Sequence, residues 1–249
     1  HNDFEAAVNR GHEMLAEGVD IIDVGGESTK PGVDRVSEQE ELTRVIPVIE
    51  ELAKTGARIS IDTMRASTAR AAIKAGAQII NDVSGGLADS DMLPTAAKLG
   101  VPYIAMHWRG HSKDMNSRAV YGDVVTDVIS ELQERVSAAL DAGITKDNLI
   151  VDPGIGFGKS LTENLAIINN LSVYHGLGCA ILFGASRKRL IGALSNEADA
   201  QHRLGGSIFL AMKAVEQGAH IIRVHDAAET VQAVQVWRGM RDAALTASA

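Results

Sequence analysis

A single cysteine, Cys179, in 249 residues excludes a disulfide framework, and no cysteine or histidine grouping has the spacing of a zinc site. No stretch approaches the roughly 20 apolar residues of a membrane span, and no signal peptide is visible. Basic residues are outnumbered by acidic ones, with a net charge of −8, which argues against a nucleic-acid groove. Ser186 has no strand-adjacent histidine and aspartate ordered as base and orienter, so no nucleophilic triad is apparent. These absences point to a soluble, cytoplasmic, small-molecule protein without nucleic-acid or membrane partners. Cys179, within an apolar run, reads as a small core hydrophobe.

What is present is alternation. Hydrophobic residues make up 45% of the chain, enough for one domain over residues 1–249. Runs rich in Val and Ile are expected as strands at Val19–Val24, Arg58–Ile61, Gln78–Asn81, Val101–His107, Ile150–Asp152, Cys179–Phe183 and Ala219–Val224. Helical stripes fall at Phe4–Glu17, in a segment running from Ser37 to Ala53, and at Ser67–Ala75, Met92–Leu99, Val124–Ala142, Thr162–Leu171, Arg203–Gln217 and Ala228–Ala243. Gly18, Gly76, Gly100, Gly143 and Gly218 stop helices, and Ser37 with Glu40 reads as a capping box. Strand followed by helix, with continuous apolar strands, predicts an α/β fold of the (β/α)8 TIM-barrel type. Seven strands are visible, so the first strand is expected to lie before His1. An open doubly wound sheet is the alternative, although nothing marks a switch point.

Polar groups recur where strands end. The stretch Ile150–Lys159, Ile-Val-Asp-Pro-Gly-Ile-Gly-Phe-Gly-Lys, delivers a carboxylate into a glycine-rich loop. Asp62, Asn81, Asp152, Lys188, Arg223 and His225 would gather at the C-terminal mouth of a barrel, with Ser28, Thr29, Lys30, Phe157 and Lys159 at its rim. Carboxylate and carboxamide groups suit a heterocycle with N–H donors and a carbonyl, while Arg, His and Lys suit a diphosphate. Asp62 and Asp152 could instead cap the following helices, and Asn81 could satisfy loop backbone. Arg223 and His225, two apart, are expected on one side of their strand. Trp108 and Met106 read as packing residues; His111, His175, His202 and His220 read as surface or loop histidines.

Six stretches, in order along nearly the whole chain, resemble bacterial dihydropteroate synthases. They are Gly25–Gly32 (Gly-Gly-Glu-Ser-Thr-Lys-Pro-Gly), Ile61–Thr63, Ile80–Val83, Asp152–Lys159, Gly184–Lys188 and Arg223–His225. Met106–Arg109 and Arg189 are most similar to the actinobacterial branch. The resemblance implies a transferase of folate biosynthesis, a sulfonamide target, that joins 4-aminobenzoate to 6-hydroxymethyl-7,8-dihydropterin diphosphate and releases diphosphate. It implies catalytic roles for Asp62, Lys188, Arg223 and His225, and a pterin site of Asp62, Asn81, Asp152 and Lys188. Arg223, His225 and Thr29 would hold diphosphate. Thr29, Lys30, Phe157, Lys159, Ser186, Lys188 and Arg189 would line the aminobenzoate site. Magnesium is the implied cofactor, with its asparagine ligand expected before His1 and no metal ligand in this chain; a homodimer through the late helices is implied as well. Lys30 stands where the family usually has arginine, losing the bidentate fork, and Arg189 where it often has serine. A non-catalytic pterin-binding homologue and a pterin-dependent methyltransferase are the competing readings. The second needs no diphosphate site, which Ser186-Arg187-Lys188 and Arg223-Val224-His225 argue against.

Overall fold

The computed structural model describes residues 2–28, 35–111, 118–196 and 199–246. Helix α1 (Asn2–Ala16) leads into β1 (Ile22–Gly25), α2 (Glu38–Ala53), β2 (Ile59–Asp62), α3 (Ala66–Ala75), β3 (Ile79–Asp82), α4 (Met92–Leu99) and β4 (Tyr103–Met106). The second half continues with α5 (Val124–Asp141), β5 (Leu149–Asp152), α6 (Leu161–Asn169), β6 (Ala180–Phe183), α7 (Arg189–Ser195), α8 (Leu204–Glu216), β7 (Ile221–Ile222) and α9 (Ala227–Thr246). The strands form one parallel sheet in the order β1 to β7, each beside its successor in the chain. It curls into the seven-stranded barrel expected from the strand–helix alternation. After β7 the Arg223 side chain reaches Asp23 of β1, its Nε 2.6 Å from Oδ2. Among the described residues β1 pairs only with β2 and β7 only with β6, so this ion pair spans the two sheet edges.

Period-two alternation sorts the strand residues. One set, including Ile59, Ile61, Ile80, Tyr103, Leu149, Val151, Ile181 and Phe183, packs against the helices in the main core. The opposite set begins with an inner plug of Ile79, Ile104, Ile150 and Leu182, backed by Ile21, Ala180 and Ile221. Two residues further along the same faces stand Asp23, Asn81, Met106 and Asp152. An apolar floor therefore lies directly beneath a polar mouth.

Two local expectations are corrected. The Ser37 hydroxyl accepts from the Glu40 amide at 3.2 Å, but the Glu40 carboxylate pairs with Arg44 one turn on, leaving the box half made. A complete capping box sits instead at Ser160 and Glu163, heading α6. Strand β7 is only Ile221–Ile222, so Arg223 and His225 lie beyond it; alternation does not place them on a common side, and they take different partners. Helix α7 and a 3-10 segment at Leu171–Leu177 are further elements, too short to carry a strong periodic signal. Among the described residues no helix is long and apolar enough to cross a membrane.

The two boxes differ in a measurable way. Ser160→Ala is expected to lower stability in urea unfolding by about 1 kcal/mol, whereas Glu40→Gln should stay within about 0.5 kcal/mol of the parent.

Candidate active site

The mouth is built from strand ends. Asp62 closes β2, Asn81 stands one residue before the end of β3, and Asp152 closes β5. Asn81 and Asp152 are buried, and the Asp62 side chain is 13% exposed. The residue that links them, Asp23 in β1, is not among the strand-end groups expected from sequence. Its carboxylate accepts from the Ser60 hydroxyl, from Asn81 Nδ2 at 3.2 Å and from Arg223 Nε at 2.6 Å. The signal was available: an acid in the middle of Ile21-Ile22-Asp23-Val24, on an inward face, needs a partner. Arg223 also donates through Nη2 to Asp62 Oδ2 at 3.0 Å. One guanidinium thus serves two carboxylates on adjacent strands.

Electrostatics follow from that sharing. Burial, reinforced by the neighbouring Asp23 charge and opposed by Arg223, lifts Asp62 to about 7. Burial likewise raises Asp152, against the pull of Lys188. Burial works against the Arg223 charge, yet Asp23 and Asp62 more than offset it and its pKa rises. Lys188 is brought down by burial to about 8, with Asp152 opposing. Its ammonium donates to the Ile155 carbonyl and lies 4.6 Å from the centre of the Phe157 ring. Gly156, at φ +79, lets the lysine stem pass: a Cβ there would stand 3.0 Å from Lys188 Cδ.

Asp152 does not cap α6. Its Oδ1 accepts the Gly154 amide at 2.7 Å, turning the loop immediately after β5. Gly154 itself, at φ +69, leaves no room for a side chain, since a Cβ would meet the His107 carbonyl at 2.7 Å. Lys159, placed by the resemblance near the aminobenzoate, spends its ammonium within the loop. It donates to the carbonyls of Gly154 and Phe157 and to His107 Nδ1, each at 3.0 Å. His107 in turn donates from Nε2 to Glu131 at 2.9 Å, and Glu131 is gripped by Arg109. Arg109 stacks over Tyr121, whose hydroxyl donates to the Gly158 carbonyl at 2.9 Å. Burial and the nearby Lys159 hold His107 down at about 4, so the ring is neutral with its proton on Nε2. Hydrogen bonds from His107 and Arg109 carry Glu131 to about 2 despite the cost of its burial.

On the other side of the mouth, Ser186 Oγ accepts the His225 amide at 3.2 Å and lies 3.0 Å from His225 Nδ1. Arg189 is exposed at the first position of α7. The β1–α2 connection is anchored by Arg65, which joins Glu27, the fully buried Glu41 and the Val36 carbonyl. Thr29 and Lys30 lie outside the described residues. Trp108 is half-buried, edge-on to His111, and Met106 is buried. Among the described residues no group of three or more His, Cys, Asp or Glu side chains is placed to hold a metal ion.

The sequence matches the family described as pterin binding enzyme over residues 1–225. It is 44% identical over 237 residues to the dihydropteroate synthase of Escherichia coli K12, covering 95% of this chain and 83% of that protein. A probable bifunctional folylpolyglutamate synthase/dihydropteroate synthase of Haloferax volcanii is 45% identical across 96% of this chain, which spans only 28% of that longer protein. Dihydropteroate synthase of Xanthomonas albilineans has been solved with 4-aminobenzoic acid (TM-score 0.91, 43% identity) and with 7,8-dihydropteroate (TM-score 0.87, 42% identity). Each comparison covers 96% of this chain and 85% of the other.

The His107 pair makes stability depend on acid. Because the folded pKa of about 4 lies below the ordinary 6.5, the unfolded chain takes the proton first. Stability therefore falls as pH drops from 6.5 towards 4, by up to about 1.4 kcal/mol per pH unit. Subtracting the urea-unfolding curve of a His107→Gln variant from that of the parent should isolate this slope.

Proposed function

The chain belongs to the dihydropteroate synthase family of pterin-binding enzymes, and from that membership we propose how its strand-end residues carry out the family's reaction. The reaction joins 4-aminobenzoate to 6-hydroxymethyl-7,8-dihydropterin diphosphate, giving 7,8-dihydropteroate and diphosphate in folate biosynthesis. The observation that carries the assignment is the sharing of Arg223 between Asp23 and Asp62, beside Asn81, Asp152 and Lys188.

A pterin offers a row of N–H donors beside a carbonyl. Asp62 and Asp152 accept from such an edge, Asn81 both donates and accepts, and Lys188 supplies a cation for the carbonyl side. Diphosphate is met by Arg223 and by His225, whose ring is held at Nδ1 by Ser186. As the carbon–oxygen bond to diphosphate breaks, negative charge grows on the leaving group, where Arg223 stands ready. The methylene carbon left behind is electron-poor, and Asp62 with Asp23 places compensating negative charge close by. The arylamine nitrogen then forms the new carbon–nitrogen bond and gives up a proton. Phe157, Ser186, Thr29, Lys30 and Arg189 are proposed to line the aminobenzoate approach; Lys159 shapes that wall through the loop. Magnesium, a hard cation that binds largely through substrate phosphates and keeps several waters, would supply charge neutralisation on the diphosphate. Among the described residues no group of three or more His, Cys, Asp or Glu side chains is placed to hold it.

Residues 1–249 are proposed to act as one pterin-binding unit that pairs with a second copy. Phe209 of α8, Val236 and Met240 of α9 and Leu194 of α7 are exposed by 68, 60, 70 and 56% on the late helices, which supports a homodimer through that face. A Phe209→Glu, Met240→Glu double variant should elute as a monomer in light-scattering chromatography; an unchanged dimer would refute this surface.

Turnover is tested by diphosphate release that requires both substrates and by formation of dihydropteroate. Asp62→Asn is expected to lower kcat/KM by about 10- to 100-fold, the worth of a hydrogen bond to a charged group. Because Asp62 must be ionised to accept from the ring, affinity for 7,8-dihydropteroate should weaken as pH falls below about 7. The limit is about tenfold per unit, and the dependence should vanish in Asp62→Asn. A parent enzyme whose affinity is flat between pH 5 and 8 would remove Asp62 from the ring site.

A further inference from the structure

The turn after β6 carries Lys188 and Ser186, yet its own geometry is set by the residue between them. Arg187 has φ +58, one of two non-glycine residues at positive φ among the described residues. The Lys188 amide donates to the Ala185 carbonyl at 3.3 Å, so Arg187 is the third residue of a four-residue turn. Glycine or asparagine is preferred there when φ is positive, because a side chain crowds the following carbonyl. Arginine holds this conformation through three separate anchors. Its guanidinium grips Asp226 with Nε and Nη2, the Nε contact at 3.0 Å. Its amide donates to Ser207 Oγ at 2.9 Å, and its carbonyl accepts from Arg203 Nη1 at 2.9 Å. The three partners come from the β7–α9 connection, from α8 and from the residue preceding α8.

The consequence is a link between the two halves of the site. Asp226 follows His225 directly, and His225 is tied to Ser186 by its amide and its ring. Ser186 and Asp226 therefore bracket the same turn from either end, with Lys188 leaving it on the far side towards Ile155 and Phe157. We propose that Arg187 is a positioning residue. Its left-handed backbone, pinned by Asp226, Ser207 and Arg203, aims Lys188 and Ser186 and keeps them in register with His225. The inference rests on the ligand assignments made above for Lys188 and His225.

The test compares Arg187→Gly, which loses the ion pair but tolerates the backbone, with Arg187→Ala, which loses both. Calorimetric affinities for 7,8-dihydropteroate and for inorganic diphosphate should fall about tenfold in the alanine variant and stay within about threefold of the parent in the glycine variant. Both lose the ion pair and melt below the parent, so the affinity split separates positioning from general destabilisation. Asp226→Asn should weaken both affinities in the parent background and add nothing further in the Arg187→Gly background. Equal losses in the glycine and alanine variants would overturn the proposal by showing that the guanidinium itself meets ligand, and full affinity in both would overturn it too. Amide exchange at His225 in ligand-free protein gives a readout without substrate: faster in the alanine variant, near parental in the glycine variant. If the parent binds neither ligand, the functional assignment fails, while equal exchange in the two variants would refute the positioning role on its own.

Discussion

Two carboxylates on neighbouring parallel strands, Asp23 and Asp62, are held close together by Arg223, which lies between them. Like charges out of water repel strongly, and burial alone would protonate one of them. Arg223 comes from beyond the last strand, so the pairing that makes the acids tolerable also ties β7 to β1 and β2. The electrostatics of the mouth and the curl of the sheet are therefore one constraint. The same cation is available to a departing diphosphate, and the acids it leaves behind suit an electron-poor carbon and a row of N–H donors.

Around that pairing the loops are fixed by contacts among protein groups. The β5–α6 loop is stitched by Lys159, His107, Glu131, Arg109 and Tyr121 into a closed network that joins it to the end of β4 and to α5. Arg65 does comparable work at the base of the β1–α2 connection, satisfying the fully buried Glu41. Such pairs contribute little net stability, since their desolvation offsets most of their attraction; what they provide is a single loop geometry. Shape at this mouth comes from buried polar bonds, while stability comes from the Ile, Val and Leu layers on both faces of the sheet.

Much of this was legible in the sequence. All seven strands lie at expected positions, because buried parallel strands write themselves as short Val/Ile runs between glycine-marked stops. Asp62, Asn81, Asp152, Lys188, Arg223 and His225 were identifiable as polar groups at strand ends. Asp23 was not, because it sits inside a strand rather than at its end, and an acid within an apolar run does not by itself name its partner. Lys159 looked like a rim cation because glycine-rich loops with a terminal lysine commonly face a ligand; its carbonyl partners depend on a loop path no local rule dictates. The half-made box at Ser37 shows a similar limit: sequence spacing allowed Glu40 to reach back, and Arg44 offered a charged partner instead.

By itself the sequence determined what is periodic and local. Alternation fixed which strand residues face the helices and which face the barrel interior, and glycine and proline fixed where each element stops. Only the tertiary structure decided which distant groups share a proton, a charge or a turn. Asp23 finds Arg223 across most of the chain, His107 finds both Lys159 and Glu131, and Arg187 accepts a conformation its own chemistry disfavours because Asp226, Ser207 and Arg203 hold it there. Backbone preference acts over a few residues, whereas the worth of a charge depends on what burial and curvature bring within about 3 Å of it.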